Sequence, residues 1–266
     1  MERFKEIKKF ATIDIGSNAI RLLISNVIIR YNHPPEVTKN ALVRVPIRLG
    51  QDAFTKGMIS DENILRLIDT MTSFKLLMKV HRVEKYLAYA TSALRSSSNG
   101  LDIVKNVRLK TDISIKIIDG KKEGALVTRD KIFNIKDNSD VFCFIDVGGG
   151  STELTLFKNG KILKSKSFKI GGVRLINGLV SEKTWESFHI WIINNFKNFK
   201  KIRVIGLGGN INKIFKISGN KIGLPLSLKK LNSTISKLER MSDIDKTLVL
   251  KLNPDRVDVI VPAGKI

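Results

Sequence analysis

Cysteine is almost absent from this 266-residue chain: Cys143 stands alone. A single thiol excludes an internal disulfide framework and any zinc cluster built on cysteines. Histidine is nearly as scarce, and His33, His81 and His189 are too dispersed to suggest a metal centre. No run approaches the roughly 18 uninterrupted apolar residues of a membrane span. Residues 1–9 mix both charge signs and lack the apolar segment of a secretion signal. These absences predict a cytoplasmic protein without membrane association. Only 6 prolines occur, and neither a Pro-rich linker nor a low-complexity segment interrupts the chain.

Acidic residues are also few: 25 Asp and Glu stand against 47 Lys and Arg, a net charge of +22. Such an excess favours a polyanionic partner. Much of it has a compositional source, because 33 Lys, 35 Ile and 19 Asn accompany only 14 Arg, the signature of AT-rich codons. The lysines are scattered rather than clustered, so no specific nucleic-acid surface is expected. With 42% hydrophobic residues the chain can bury a sizeable core, in one large domain or two of about 130 residues.

An internal repeat decides between these. Ile13-Asp14-Ile15-Gly16-Ser17-Asn18 runs into Ala19-Ile20-Arg21-Leu22. At an offset of 132 residues, Ile145-Asp146-Val147-Gly148-Gly149-Gly150 runs into Ser151-Thr152-Glu153-Leu154. Each copy reads as an apolar strand, an Asp, a glycine turn and a second strand. A period this long means a duplicated domain, because solenoid repeats are about 20–50 residues. Strands are predicted at residues 10–15, 20–29, 42–49, 86–90 and 113–118, and again at 141–147, 154–158, 162–170, 203–207 and 257–261. Helices are predicted after Ser60, after the loop at 96–100, at 121–132, from Ser181 to about 199, and between 212 and 252. Two α/β domains follow, residues 1–136 and 137–266, divided at the polar cluster 137–140 and enclosing a cleft.

The repeated turns carry the chemistry. Glycine turns with aligned backbone N–H groups form concave nests for phosphate oxygens, and an Asp at a strand end holds Mg²⁺ directly or through water. One such turn is weak evidence; two in register, one with three consecutive glycines, point to phosphate. A third cluster, Gly206-Leu207-Gly208-Gly209, lacks the spacing of a dinucleotide or P-loop motif and signals little by itself. Cys143 lies in an apolar strand and reads as inert core. Trp185, with Phe188, Ile192 and Phe196, forms a packing stripe rather than a base-stacking platform.

Further segments extend the pattern: Ala90-Thr91-Ser92-Ala93-Leu94-Arg95, Gly171-Gly172-Val173-Arg174-Leu175 and Asn253-Pro254-Asp255-Arg256. Together these resemble the exopolyphosphatase/guanosine pentaphosphate phosphohydrolase family, within the actin-like, sugar-kinase and heat-shock ATPase superfamily. The resemblance covers nearly the whole chain. It implies two duplicated actin-like ATPase (ribonuclease H-like) domains, the second without the family's usual final helix. It implies Mg²⁺-dependent, or Mn²⁺-dependent, hydrolysis of terminal phosphate from polyphosphate. The alternatives are hydrolysis of pppGpp and binding of polyphosphate or nucleotide without turnover. Carried over, Glu123 is the catalytic base; Asp14, Asp146 and Glu153 hold metal. Gly16, Ser17, Asn18, Arg95, Gly148, Gly149, Gly150 and Ser151 hold phosphate. Arg21, at the repeat position of Glu153, is either an ion-pair partner or a substrate contact. Where the family has Glu-Glu-Ala-Arg, this chain has Lys122-Glu123-Gly124-Ala125, and Lys122 would make Glu123 a weaker base. Homodimerisation stays open.

Overall fold

A computed structural model describes residues 4–132 and 140–266, which form two compact units, Met1–Ile118 and Asp119–Ile266. In the first unit a three-strand meander, β1 (Phe4–Ile15), β2 (Ile20–Arg30) and β3 (Glu36–Val45), leads into helices α1 (Leu49–Thr55) and α2 (Asp61–Val80). Strand β4 (Lys85–Ala90), helices α3 (Ser92–Ser96) and α4 (Gly100–Thr111) and the two-residue β5 (Lys116–Ile117) complete it. The sheet order is β3-β2-β1-β4-β5, with β1 antiparallel to β2 and parallel to β4.

The second unit opens with α5 (Gly120–Ile132) and repeats the meander as β6 (Val141–Val147), β7 (Thr152–Lys158) and β8 (Lys161–Phe168). Helices α6 (Gly172–Ile176) and α7 (Glu182–Phe196), strand β9 (Ile202–Leu207), and helices α8 (Gly209–Ile217), α9 (Leu228–Arg240), α10 (Asp243–Leu248) and α11 (Ile260–Lys265) follow. Its order, β8-β7-β6-β9, matches β3-β2-β1-β4 of the first sheet, with no counterpart of β5 among the described residues. Asp14 pairs in register with Arg21, and Asp146 with Glu153, so the offset of 132 holds in three dimensions.

Hydrophobic patterning explains how each sheet is covered. In β2 the buried residues Ile20, Leu22 and Ile24 alternate with less buried ones, and with Ala11, Ile13 and Ile15 of β1 they face one large core. The opposite face carries Leu42, Leu23, Thr12 and Leu87 in one cross-strand row, and Leu42 and Leu87 are each 51% exposed. In the second unit β7 is buried from Thr152 through Phe157. Cys143, Leu154, Leu156 and Phe168 pack with Phe188 of α7, while Phe142, Phe144, Phe157 and Leu207 form a separate cluster. The unbroken run Val141-Phe142-Cys143-Phe144-Ile145 is thus a strand with apolar partners on both faces.

Several expectations need correction. The strand predicted at 42–49 ends at Val45, and Leu49 opens α1. The strand at 113–118 shrinks to Lys116–Ile117. The last segment, expected as strand 257–261, enters α11 instead, where Ile260 and Ala263 are buried; Gly264 lies close to Ile214 and Ile235. Of the expected boundary cluster, 137–140, residues 137–139 lie outside the described residues. The units divide between Ile118 and Asp119, because α5 packs on β7 and β8. Its hydrophobic and helical pattern reads the same whichever sheet it joins. Both predicted serine caps are present: Ser60 accepts from the Asn63 N–H and Ser181 from the Thr184 N–H.

Candidate active site

In the first unit the β1–β2 turn is closed by the Gly16 N–H donating to the Ala19 carbonyl at 3.2 Å. The Ser17 carbonyl accepts from the Gly50 N–H at 2.7 Å and the Asn18 carbonyl from Arg48 at 3.0 Å, so α1 docks on this turn. In a planar trans peptide the following N–H points opposite to the carbonyl. Those of Asn18 and Ala19 are therefore turned away from α1. The Ser17 hydroxyl is buried and hydrogen-bonded to Ser92 at 2.8 Å, which ties the turn to α3. On the same helix Arg95 Nη1 donates to the Ile118 carbonyl at 2.5 Å. Arg95 thus stands near the end of β5 and caps its exit.

Asp14 forms an ion pair with Arg21, Nη1 to Oδ2, at 3.2 Å. Desolvation pushes the Asp14 carboxyl above its usual pKa, and Arg21 pulls it back down. The side chain keeps 47% of its surface, so solvent tempers the effect.

The second unit builds the same turn with glycines. The Gly148 N–H donates to the Ser151 carbonyl at 2.9 Å. Carbonyls of Gly148 and Gly149 accept from Gly172 and Val173 at 3.0 and 2.9 Å, and that of Gly150 from Arg174 Nε at 2.8 Å. With three successive carbonyls turned toward α6, the N–H groups of Gly149, Gly150 and Ser151 face the other way, the arrangement of an anion nest.

Asp146, one residue before the end of β6, stands directly opposite Glu153 on β7. Like charges facing each other across a ladder destabilise it, and Glu153 is only 4% exposed. Ser167 Oγ donates to Glu153 Oε1 at 2.7 Å. Behind Asp146, Gly208 has φ +96°, and a Cβ there would lie 2.9 Å from Asp146 Oδ1. Glycine is required at this approach. Arg256 Nη1 donates to the Gly209 carbonyl at 3.1 Å and fixes the start of α8.

The base expected in the first domain belongs to this second unit. Asp119 caps α5 by accepting from the Lys122 N–H at 2.7 Å, which leaves Glu123 in the first helical turn. A Cβ on Gly124 would make ordinary contact, 3.5 Å, with Glu153 Cβ. The helix carrying Glu123 therefore lies on the strand carrying Glu153.

The structure thus groups Glu123, Asp146, Gly148, Gly149, Gly150, Ser151 and Glu153 in one unit, and Asp14, Gly16, Ser17, Asn18 and Arg95 in the other. Among the described residues no group of three His, Cys, Asp or Glu side chains could hold a metal ion. The donor set nevertheless fits Mg²⁺, which takes one or two carboxylates and completes its shell with water and phosphate oxygens. Asp146 and Glu153 fit that description better than Asp14, whose charge is met by Arg21. Sequence reasoning passed over Gly208 and Ser167. Gly208 had a signal in the third glycine cluster, whereas nothing in the sequence marks Ser167 among the strand serines. Cys143 is fully buried, and burial pushes its thiol up to about 12. No described helix is long and apolar enough to cross a membrane.

Residues 41–266 match the model of the Ppx/GppA phosphatase family. The bifunctional 3-dehydroquinate synthase/phosphatase of Fusobacterium nucleatum is 30% identical over 293 residues, covering 98% of this chain. This chain spans only 43% of that protein's length. Exopolyphosphatase 2 of Mycobacterium tuberculosis is 30% identical over 177 residues, covering 64% of this chain and 54% of its own. Among solved structures, an exopolyphosphatase from Cytophaga hutchinsonii superimposes with a TM-score of 0.82 at 24% identity, covering 97% of this chain and 88% of that one. The Aquifex aeolicus family member gives 0.73 at 22% identity, with 97% and 88% covered. These structural likenesses establish the fold, the two-unit α/β architecture read from the repeat, and by the match over residues 41–266 the chain belongs to the Ppx/GppA phosphatase family.

Proposed function

We propose that this chain hydrolyses phosphoanhydrides and releases the terminal phosphate of inorganic polyphosphate. The observation that carries the reading is the Gly148–Ser151 turn beside the Asp146–Glu153 pair, with the Glu123 helix lying on the same strands. Family membership supports the same chemistry.

Hydrolysis forms a P–O bond to water and breaks the P–O bond to the next phosphate. Water must be positioned, its proton accepted, and charge on the non-bridging oxygens met by donors. Glu123 accepts the proton from the attacking water. The N–H groups of Gly149, Gly150 and Ser151 hold phosphate oxygens, as do Gly16, Ser17, Asn18 and the guanidinium fork of Arg95. Asp146 and Glu153 of the second unit, and Asp14 of the first, are the carboxylates that would hold Mg²⁺ or Mn²⁺, which would supply positive charge for the phosphate oxygens and order water.

The test is release of inorganic phosphate from polyphosphate and from pppGpp side by side, with Mg²⁺ and with chelator. Release from polyphosphate supports the reading. Release from pppGpp alone replaces the substrate, and binding without release makes the chain a binder. Ionic strength separates the substrates further. A long polyanion meets lysines beyond the site, so its KM rises more steeply with KCl than that of pppGpp; equal slopes remove the preference for polyphosphate.

A further inference from the structure

We infer that Ser167 is a positioning residue for the metal-holding carboxylate Glu153, an inference that rests on the reading of Asp146 and Glu153 as a cation site. The two residues are cross-strand partners on β7 and β8. The Ser167 hydroxyl donates to Glu153 Oε1 at 2.7 Å, and Glu153 is buried. A buried carboxylate needs donors to hold its charge and its direction. Ser167 supplies one from the strand next door.

The hydroxyl is itself held from above. Gly120, the first residue of α5, lies so close that a Cβ there would overlap Ser167 Cβ and Oγ. One turn on, a Cβ on Gly124 would touch Glu153 Cβ, Thr155 Oγ1 and Ser165 Oγ, each at 3.5 Å. Thr155 and Ser165 hydrogen-bond to each other at 3.0 Å. Thus α5 rests through two glycines on a face of small hydroxyl side chains. Of the two serines on β8, Ser167 reaches the carboxylate and Ser165 does not. The same contact sets the height of the helix that carries Glu123. Ser167 therefore couples the placement of the two carboxylates, while touching neither substrate nor reacting atoms.

The experiment compares Mn²⁺ binding to the unaltered chain, Ser167→Ala and Ser165→Ala, by electron paramagnetic resonance of the free ion, with kcat and KM for polyphosphate measured on each. Loss of a partner that orients a metal ligand typically weakens metal binding about 10–100-fold. That loss is expected for Ser167→Ala, with kcat falling and melting temperature retained. Ser165→Ala, which removes a hydroxyl under the same helix but not from Glu153, should bind Mn²⁺ like the unaltered chain. Equal Mn²⁺ affinity in all three overturns the inference, as does equal weakening in both variants or no Mn²⁺ binding by the unaltered chain. If Mn²⁺ binding follows the expected order but no chain releases phosphate, the hydrolase reading fails and the role of Ser167 stands.

Discussion

Asp146 stands opposite Glu153 on the β6–β7 ladder, whereas its repeat equivalent Asp14 stands opposite Arg21. One substitution within a duplicated hairpin has made one half a neutralised ion pair and the other a pair of like charges. The neutral half suits direct phosphate contact, and the acidic half calls for a cation. The division of roles proposed for the two repeats starts at this position.

Glu123→Gln keeps size and polarity but accepts no proton. Loss of a general base costs about 10²–10⁴ in rate. Phosphate-release assays should show kcat reduced in that range, with polyphosphate binding retained in a filter or calorimetric assay. Wild-type turnover in this variant would remove Glu123 from the mechanism.

Chelator should abolish phosphate release, and Mg²⁺ or Mn²⁺ should restore it. Asp146→Asn halves the charge of the like-charged pair and should raise the Mg²⁺ concentration for half-maximal activity about tenfold or more. An unchanged Mg²⁺ titration would show that Asp146 does not hold the metal.

Gly208→Ala forces an L side chain into a backbone region nearly reserved for glycine, φ +96° and ψ 170°, and drives its Cβ toward Asp146 Oδ1. Strain of this kind costs on the order of 1–3 kcal/mol. Chemical denaturation should register that loss, and the Mg²⁺ requirement should shift with it because the Asp146 carboxylate must move. A variant as stable as wild type, with the same Mg²⁺ titration, would refute the close approach.

Asp52 predicts the acid limit of the first unit. Burial alone would raise its pKa, but its carboxylate accepts from the Ser60 hydroxyl at 2.5 Å, Lys56 at 2.9 Å, Asn63 Nδ2 at 2.7 Å and the Ser60 N–H at 3.1 Å, and the balance is well below the carboxylate range. A folded pKa below the unfolded value of about 3.9 means that the stabilisation is complete above that pH. It is lost as pH falls from there toward the folded value. Asp52→Ala strands these donors and should cost about 1–3 kcal/mol at pH 7. Urea midpoints between pH 6 and 2 should fall less steeply for the variant than for wild type. Parallel curves would argue against this linkage.

Cys143 should resist thiol reagents in the native state at pH 8, since the thiolate is the reactive form and burial holds the thiol protonated to about 12. Reaction with a chromogenic disulfide should be fast only in denaturant. Rapid native labelling would mean that β6 opens readily.

The repeat, both glycine turns and the strand–strand–strand start of each unit were legible in the sequence because they are local. A 132-residue offset, alternation in β2 and an unbroken apolar run in β6 each follow from which faces of a strand are buried. Serine caps at Ser60 and Ser181 were legible for the same reason, since a cap acts within one turn. What the tertiary structure decided is where non-local contacts win over pattern. The sequence of α5 is compatible with either sheet, and its packing on β7 and β8 laid the helix that carries Glu123 on the strand that carries Glu153. Residues 257–261 have strand composition, yet the segment leads into α11, where Ile260 and Ala263 are buried. Gly208 and Ser167 acquire meaning only once β6, β7, β8 and β9 are paired, because register, not spacing in the chain, sets a glycine behind Asp146 and a hydroxyl on Glu153.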